Sequence, residues 1–180
     1  MGAPKRTRKK YQKSKLMWNK NRIEEEHELK ERYGLKNLRE LWRVNTEVSK
    51  IRMNIREVLA GRAKKETGDN IVRRLVKYGV VPSDAGIDDL LLIKSNAFLD
   101  RRLQSVVFRA GLARSVKQAR QIIVHGFIAV DGQKVSSPGY LVPVDAEKKI
   151  GYYRPIDLEP KVKEGAQAGA AKPAESKENN

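Results

Sequence analysis

The residues of this chain that could do chemistry are mostly cations, and they recur at helical spacing. Set about 100° apart, Arg101, Arg102, Ser105 and Arg109 fall on one side of a predicted helix over 97–110. Leu99, Leu103, Val106, Val107 and Ala110 fall on the other side. A second helix carries Lys117, Gln121 and His125 on its polar face, with Arg114 just before it and Arg120 at its edge. Its buried side is Val116, Ala119, Ile122 and Ile123. Two such helices make a phosphate-binding platform. Each phosphate neutralised releases condensed counterions, so binding should be tight at low salt and fall steeply as salt rises. Gln104, Ser105, Gln118 and Gln121 can add directional hydrogen bonds to sugar or base edges, and Ser115 and Lys134 border the same surface. His125 is explained first by alignment with the helix dipole when protonated, and second by a direct bond to RNA. Phe108 lies off the apolar arc near Arg101; packing against the preceding helical segment is favoured over stacking on a base.

These side chains need elements that hold them at one angle. Gly111 and Gly126 stand where helix C-terminal positions require a left-handed residue. Ser115-x-x-Gln118 is a capping-box start for the second helix. Asp131-Gly132, between Phe127–Val130 and Lys134-Val135, is a strong hairpin signal. Tyr140–Val142 and Lys149–Tyr153 read as further strands. The result is helix, turn, helix, hairpin, backed by a small, mostly antiparallel sheet.

Upstream, residues 1–22 hold Lys5, Arg6, Arg8, Lys9, Lys10, Lys13, Lys15, Lys20 and Arg22 with no acidic residue. Alone, such an arm is solvated and disordered. Tyr11 and Trp18 argue for an arm that orders against RNA, because planar side chains among cations can stack on bases. A helix over 22–33 ends at Gly34. A long helix from Asn37 to Ala60 follows, with Asn37 as cap, Glu40 at the matching third position and Gly61 as stop. Leu41, Val44, Val48, Ile51, Ile55 and Val58 form its stripe, too short for a coiled coil and suited to a small bundle. Arg39, Arg43 and Lys50 share a face away from that stripe. Asp69 is expected to cap the next helix, and Ile87–Ile93 to form a short apolar one. Ser95 caps the segment that leads into the platform. Beyond Glu159 the composition cannot offset chain entropy, so that tail reads as disordered.

Composition narrows the partner. The chain has 180 residues and a formal net charge of +16, which calls for a polyanion. It has no cysteine and two well-separated histidines, so no disulfide, thiolate metal site or other metal site is expected. No apolar run approaches the roughly 18 to 20 residues that span a bilayer, and a secretion signal is lacking. A cytoplasmic protein follows, with no membrane partner. Catalysis finds no support, and no cofactor is expected. Asp88-Asp89 reads as a helix N-terminal charge pair and Asp100 as a first-turn charge. The helix pair could enter a DNA major groove. Basic residues spread over arm, long helix and both platform helices suit a folded RNA better, since RNA is read by shape and backbone.

Arg102-Leu103-Gln104, Gly111-Leu112, Ser115-Val116-Lys117-Gln118-Ala119-Arg120 and Val130-Asp131-Gly132 resemble the motif of the S-4-type RNA-binding domain. Gln104, Val116 and Asp131 depart from that pattern, where the family has Asp, Arg and Asn; Lys117 can compensate for Val116. The basic arm, YGLKNLRELWRVNTEVSKIR and FLDRRLQSVVFRAGLARSVKQAR resemble the protein 4 family of the small ribosomal subunit in its archaeal branch, over roughly residues 3–157. The resemblance implies primary binding to the 5′ domain of small-subunit rRNA at a helical junction, early in assembly. It also implies neighbouring small-subunit proteins as partners, mRNA near its point of entry, a part in decoding accuracy, and no homo-oligomer. Many bacterial members hold zinc through N-terminal cysteines; this chain has none. The expected architecture is α+β: a basic extension with a short helix (1–34), a helical domain (35–98), an αα–β-hairpin RNA-binding domain (99–157) and a tail (158–180). A stand-alone RNA-binding stress or quality-control protein is the rival reading. An RNA-modifying enzyme would need a catalytic domain for which too little chain remains.

Overall fold

The computed structural model describes residues 9–155, apart from 15 and 17. Helix α1 spans Lys20–Arg32, with the Asn19 side chain accepting from the Arg22 backbone N–H, and Gly34 follows at φ +57°. Helix α2, Leu38–Leu59, buries Leu41, Val48, Ile55 and Val58 of the expected stripe. Asn37 precedes it without a side-chain capping bond. Glu40 does not close that box, because two guanidinium groups claim its carboxylate. Charge-assisted bonds outcompete a neutral N–H.

Helix α3, Lys65–Lys77, starts four residues before the expected Asp69 cap, and its N-cap is Lys64. Packing explains the difference: a Cβ on the buried Gly68 would lie 3.3 Å from Val58 and 3.4 Å from Ile87, so helix and neighbours meet closely there. Residues Asp88–Leu92 form one 3-10 segment in place of the expected helix.

The single helix expected over 97–110 is two, α4 at Ser95–Asp100 and α5 at Leu103–Arg109. The break at Arg101-Arg102 is splinted by a distant segment. Leu103 N–H donates to Tyr140 O at 2.7 Å, Val142 N–H donates to Arg101 O at 3.0 Å, and Arg102 bridges Leu141. Tyr140–Val142 is therefore no strand of the sheet; its backbone groups are spent on the helix break. Ser95 is the first residue of α4 rather than its cap, and Asp100 closes that helix rather than opening one.

Helix α6, Val116–His125, begins as expected: Ser115 Oγ accepts from Gln118 N–H at 3.2 Å. Gly126 ends it at φ +77°. Strands β1 (Ile128–Val130) and β2 (Gln133–Lys134) join through Asp131 and Gly132 at φ 53° and 78°. Positive φ at both positions is the turn whose twist matches paired strands. A short helix α7, Val144–Glu147, leads to β3, Ile150–Tyr152, and all pairing is antiparallel in the order β2-β1-β3.

Three apolar clusters hold these elements. One joins α5 and α6 to the sheet through Leu103, Val106, Val107, Ile122, Ile123 and Ile128. A second packs Val48, Ile55, Leu75, Leu90 and Phe98 between α2, α3, the 3-10 segment and α4. The third, Tyr33, Leu35, Leu41 and Leu99, ties the end of α1 to α2 and α4. Each fully buried side chain contributes about 1.5–3 kcal/mol. Among the described residues no helix is long and apolar enough to cross a membrane.

Candidate nucleic-acid interface

The platform's cations divide into two sets. Arg101 and Arg102, expected on an exposed polar face, are 8% and 6% exposed. Once the helix breaks at these two residues, the periodicity that set them outward no longer applies. Arg101 pairs with Glu147 at 2.8 Å and donates to Val142 O at 3.2 Å. Arg102 donates to Glu40 Oε2 at 2.7 Å, and Arg120 donates to Glu40 Oε1 at 2.7 Å. Gln104, also buried, donates to Gly34 O and Val116 O and accepts from Arg120. Glu40 thus fastens α2 to the break and to α6. Burial pushes its carboxyl up, but the hydrogen bonds and charges of Arg120 and Arg102 outweigh this and leave it below its ordinary value.

The second set faces solvent. Arg109, Arg114, Lys117, Gln121, His125 and Lys134 are exposed. The Lys134 side chain lies across Gly126, beside the C-terminal end of α6. Ser105 is partly buried and donates to Leu99 O at 2.6 Å, and Gln118 Oε1 accepts from Arg114 N–H at 2.8 Å. The directional groups at 105, 115 and 118 therefore already serve the local fold.

Between the end of α1, α5 and the start of α6 lies a cleft of about 270 Å³, lined by Arg32, Tyr33, Asp100, Ser105, Phe108 and Arg109 among others. Phe108 is 42% exposed and belongs to none of the three clusters. Helix α5 turns Val106 and Val107 to the core, and Phe108 lines the cleft together with Asp100 of the preceding helical segment. The Tyr33 hydroxyl donates to Asp100 Oδ1 at 2.9 Å. Burial first, then this bond, pushes the Tyr33 hydroxyl up to about 12.

Lys9, Lys10, Arg43 and Lys50 line a groove of about 630 Å³ on α2. Residues of the arm lie against that helix: Gln12 N–H donates to Thr46 Oγ1 at 2.9 Å, and the Tyr11 ring sits 5.9 Å from that of Trp42. Tyr11 is thus engaged by protein, while Trp18 is 90% exposed. Lys13 lines a neighbouring cavity of about 480 Å³, and Arg39 is exposed. Lys5, Arg6, Arg8 and the tail lie outside the described residues. Among the described residues no group of three or more His, Cys, Asp or Glu could hold a metal ion.

Sequence reasoning gave Glu40 only a capping role and missed Glu147 and Arg32. No local signal marks Glu40 as the partner of two arginines, because they lie 62 and 80 residues away. Arg32 ends α1 and meets α5 only through the fold.

A helix pair and hairpin with this basic face define an S4-domain protein: residues 101–147 match the S4 domain family. Similarity extends well beyond that module. The chain is 43% identical over 156 residues to small ribosomal subunit protein uS4 of Methanothermobacter thermautotrophicus, covering 85% of this chain and 91% of that protein. Against small ribosomal subunit protein uS4 of Hyperthermus butylicus it is 46% identical over 156 residues, 84% of this chain and 88% of that one. Against that of Saccharolobus islandicus it is 44% identical over 158 residues, covering 85% and 86%. The chain belongs to the small ribosomal subunit protein uS4 family.

Proposed function

We propose that this chain is a structural, non-enzymatic component of the small ribosomal subunit that binds its rRNA through two basic surfaces. One is the exposed set Arg109, Arg114, Lys117, Gln121, His125 and Lys134. The other is the arm with Arg39, Arg43 and Lys50. Arg102 and Arg120 act from behind through Glu40, orienting the first surface against α2, while Arg101 ties the helix break to Val142 and Glu147; Ser105, Ser115 and Gln118 hold the backbone that presents the surface.

The observation that carries this reading is the extent of similarity. The 156 aligned residues reach far outside 101–147, into the helices that bear the second surface. That extent disfavours a stand-alone RNA-binding stress protein, which needs only the S4 module. The family resemblance favours a junction in the 5′ domain as the docking site, bound early in assembly. It also favours contacts to neighbouring subunit proteins and to mRNA where it enters, an influence on accuracy, a place in cytoplasmic ribosomes and a single copy of the chain.

The test is equilibrium binding of the full chain to small-subunit rRNA with large-subunit rRNA as competitor, over a salt series. The reading expects small-subunit rRNA to stay bound at salt that strips the competitor. Equal affinity for both RNAs would refute it.

A further inference from the structure

The cleft beside Phe108 brings together side chains from the end of α1, from α4 and α5, and from the start of α6. Resting on the RNA-binding reading above, we infer that it receives one unstacked nucleobase of the bound RNA, guanine being the best match, with Phe108 as its stacking surface.

Four features point this way. First, Phe108 presents an aromatic ring 42% exposed, between fully buried Val107 and the exposed Arg109. Aromatic side chains at such places stack splayed-out bases in RNA recognition. Second, the cleft's volume of about 270 Å³ falls just below the range of about 300–1,000 Å³ that takes drug-sized ligands. A single base is a fragment of that size class. Third, the cations Arg32 and Arg109 line the same cleft and can meet the phosphates on either side of the base. One Arg109 nitrogen is committed to Asp100 O at 2.7 Å, which orients the guanidinium and leaves its other donors for a phosphate. Fourth, the cleft's polar groups select an edge. The Asp100 carboxylate, held by the Tyr33 hydroxyl at 2.9 Å, only accepts when ionised. The Ser105 hydroxyl gives its proton to Leu99 O and can only accept further. Acceptors of this kind fit a base with two adjacent N–H donors, and the N1–H and N2–H of guanine are such a pair. A carboxylate also repels phosphate, so the backbone must stay at the arginines and the base must enter.

The test compares the full chain with Phe108→Leu, Phe108→Trp and Asp100→Asn on small-subunit rRNA. Affinity is measured over a salt series, and kethoxal, which reacts with guanine N1 and N2, reports guanine accessibility in each complex. The inference expects Phe108→Leu to bind about 5- to 150-fold more weakly, the loss of one base–aromatic stack. The salt slope should not change, because stacking releases no counterions. Phe108→Trp, with a larger π face, should bind at least as tightly as the native chain. One guanine should be protected in the native complex and reactive with Phe108→Leu and Asp100→Asn. Native affinity in Phe108→Leu, or weakened binding with no guanine changing reactivity, overturns the inference; the latter would mean a structural role or a protein side chain in the cleft. If Phe108→Leu fails to fold by circular dichroism, Asp100→Asn and Phe108→Trp decide on the same guanine. Failure of the native chain to prefer small-subunit rRNA is a different result, and refutes the RNA reading itself.

Discussion

Replacing Glu40 by Gln removes the charge on which the junction between α2 and the S4 domain depends. The carboxylate accepts from Arg102 at 2.7 Å and from Arg120 at 2.7 and 3.2 Å. The amide keeps one acceptor oxygen for those donors and places an N–H₂ against guanidinium. Arg102, its side chain 7% exposed, then becomes a buried charge without a counterion. Breaking one side of a buried pair costs about 3–5 kcal/mol. Glu40 and Arg120 keep side-chain exposures of 23% and 21%, so the low end, about 3 kcal/mol, applies. For a chain of this size that lowers Tm by about 6–12 °C. The sign with pH follows from linkage. The folded carboxyl lies below its ordinary value of 4.5. Its stabilisation is therefore complete above the unfolded value and lost as pH falls through the folded one. Thermal melts by circular dichroism should show the full gap between native chain and Glu40→Gln near about pH 7. The gap should close on acidification below 4.5. A variant that melts with the native chain near neutrality, or a gap that ignores pH, would refute the clamp.

Two further outcomes test the surface and the backbone behind it. Arg109, Arg114 and Lys117 are all exposed. Changing the three to Ala together should cut the slope of log affinity against log salt by about 2 to 3, at roughly 0.7–0.9 per phosphate contact. The melting temperature should hardly move, as for most surface substitutions. Gly34 sits at φ +57°, and an added Cβ would lie 3.0 Å from both Gln104 Nε2 and Val116 Cγ1. Gly34→Ala should cost about 2–4 kcal/mol, left-handed strain plus overpacking, read as a lower denaturation midpoint with an unchanged m-value.

What could be read in the sequence was what neighbouring residues decide. Gly111 and Gly126, the Ser115 cap, the Asp131-Gly132 turn and the apolar stripe of α2 are local signals, and all took the form expected. The errors share one cause, partners far along the chain. The helix over 97–110 breaks because residues 138–142 supply its backbone bonds. That break carries Arg101 and Arg102 inward, away from the face that an unbroken 3.6-residue period assigns them. Glu40 fits the local pattern of a capping residue, yet two arginines 62 and 80 residues on take its carboxylate. The exposed half of the platform was legible because its residues answer only to solvent and helical spacing. Phe108 was placed correctly off the apolar arc, but its cleft needs Arg32 and Tyr33, which only the fold delivers.

The central claim is that this chain is a structural part of the small ribosomal subunit, held there by RNA. Sedimentation of cell extract through a gradient, followed by a moderate salt wash of the pooled small subunits, tests it most directly. The account predicts that the chain travels with small subunits, is absent from large ones, and stays bound through the wash. Recovery of the chain free at the top of the gradient, or its release from small subunits as readily as from bulk RNA, would contradict it.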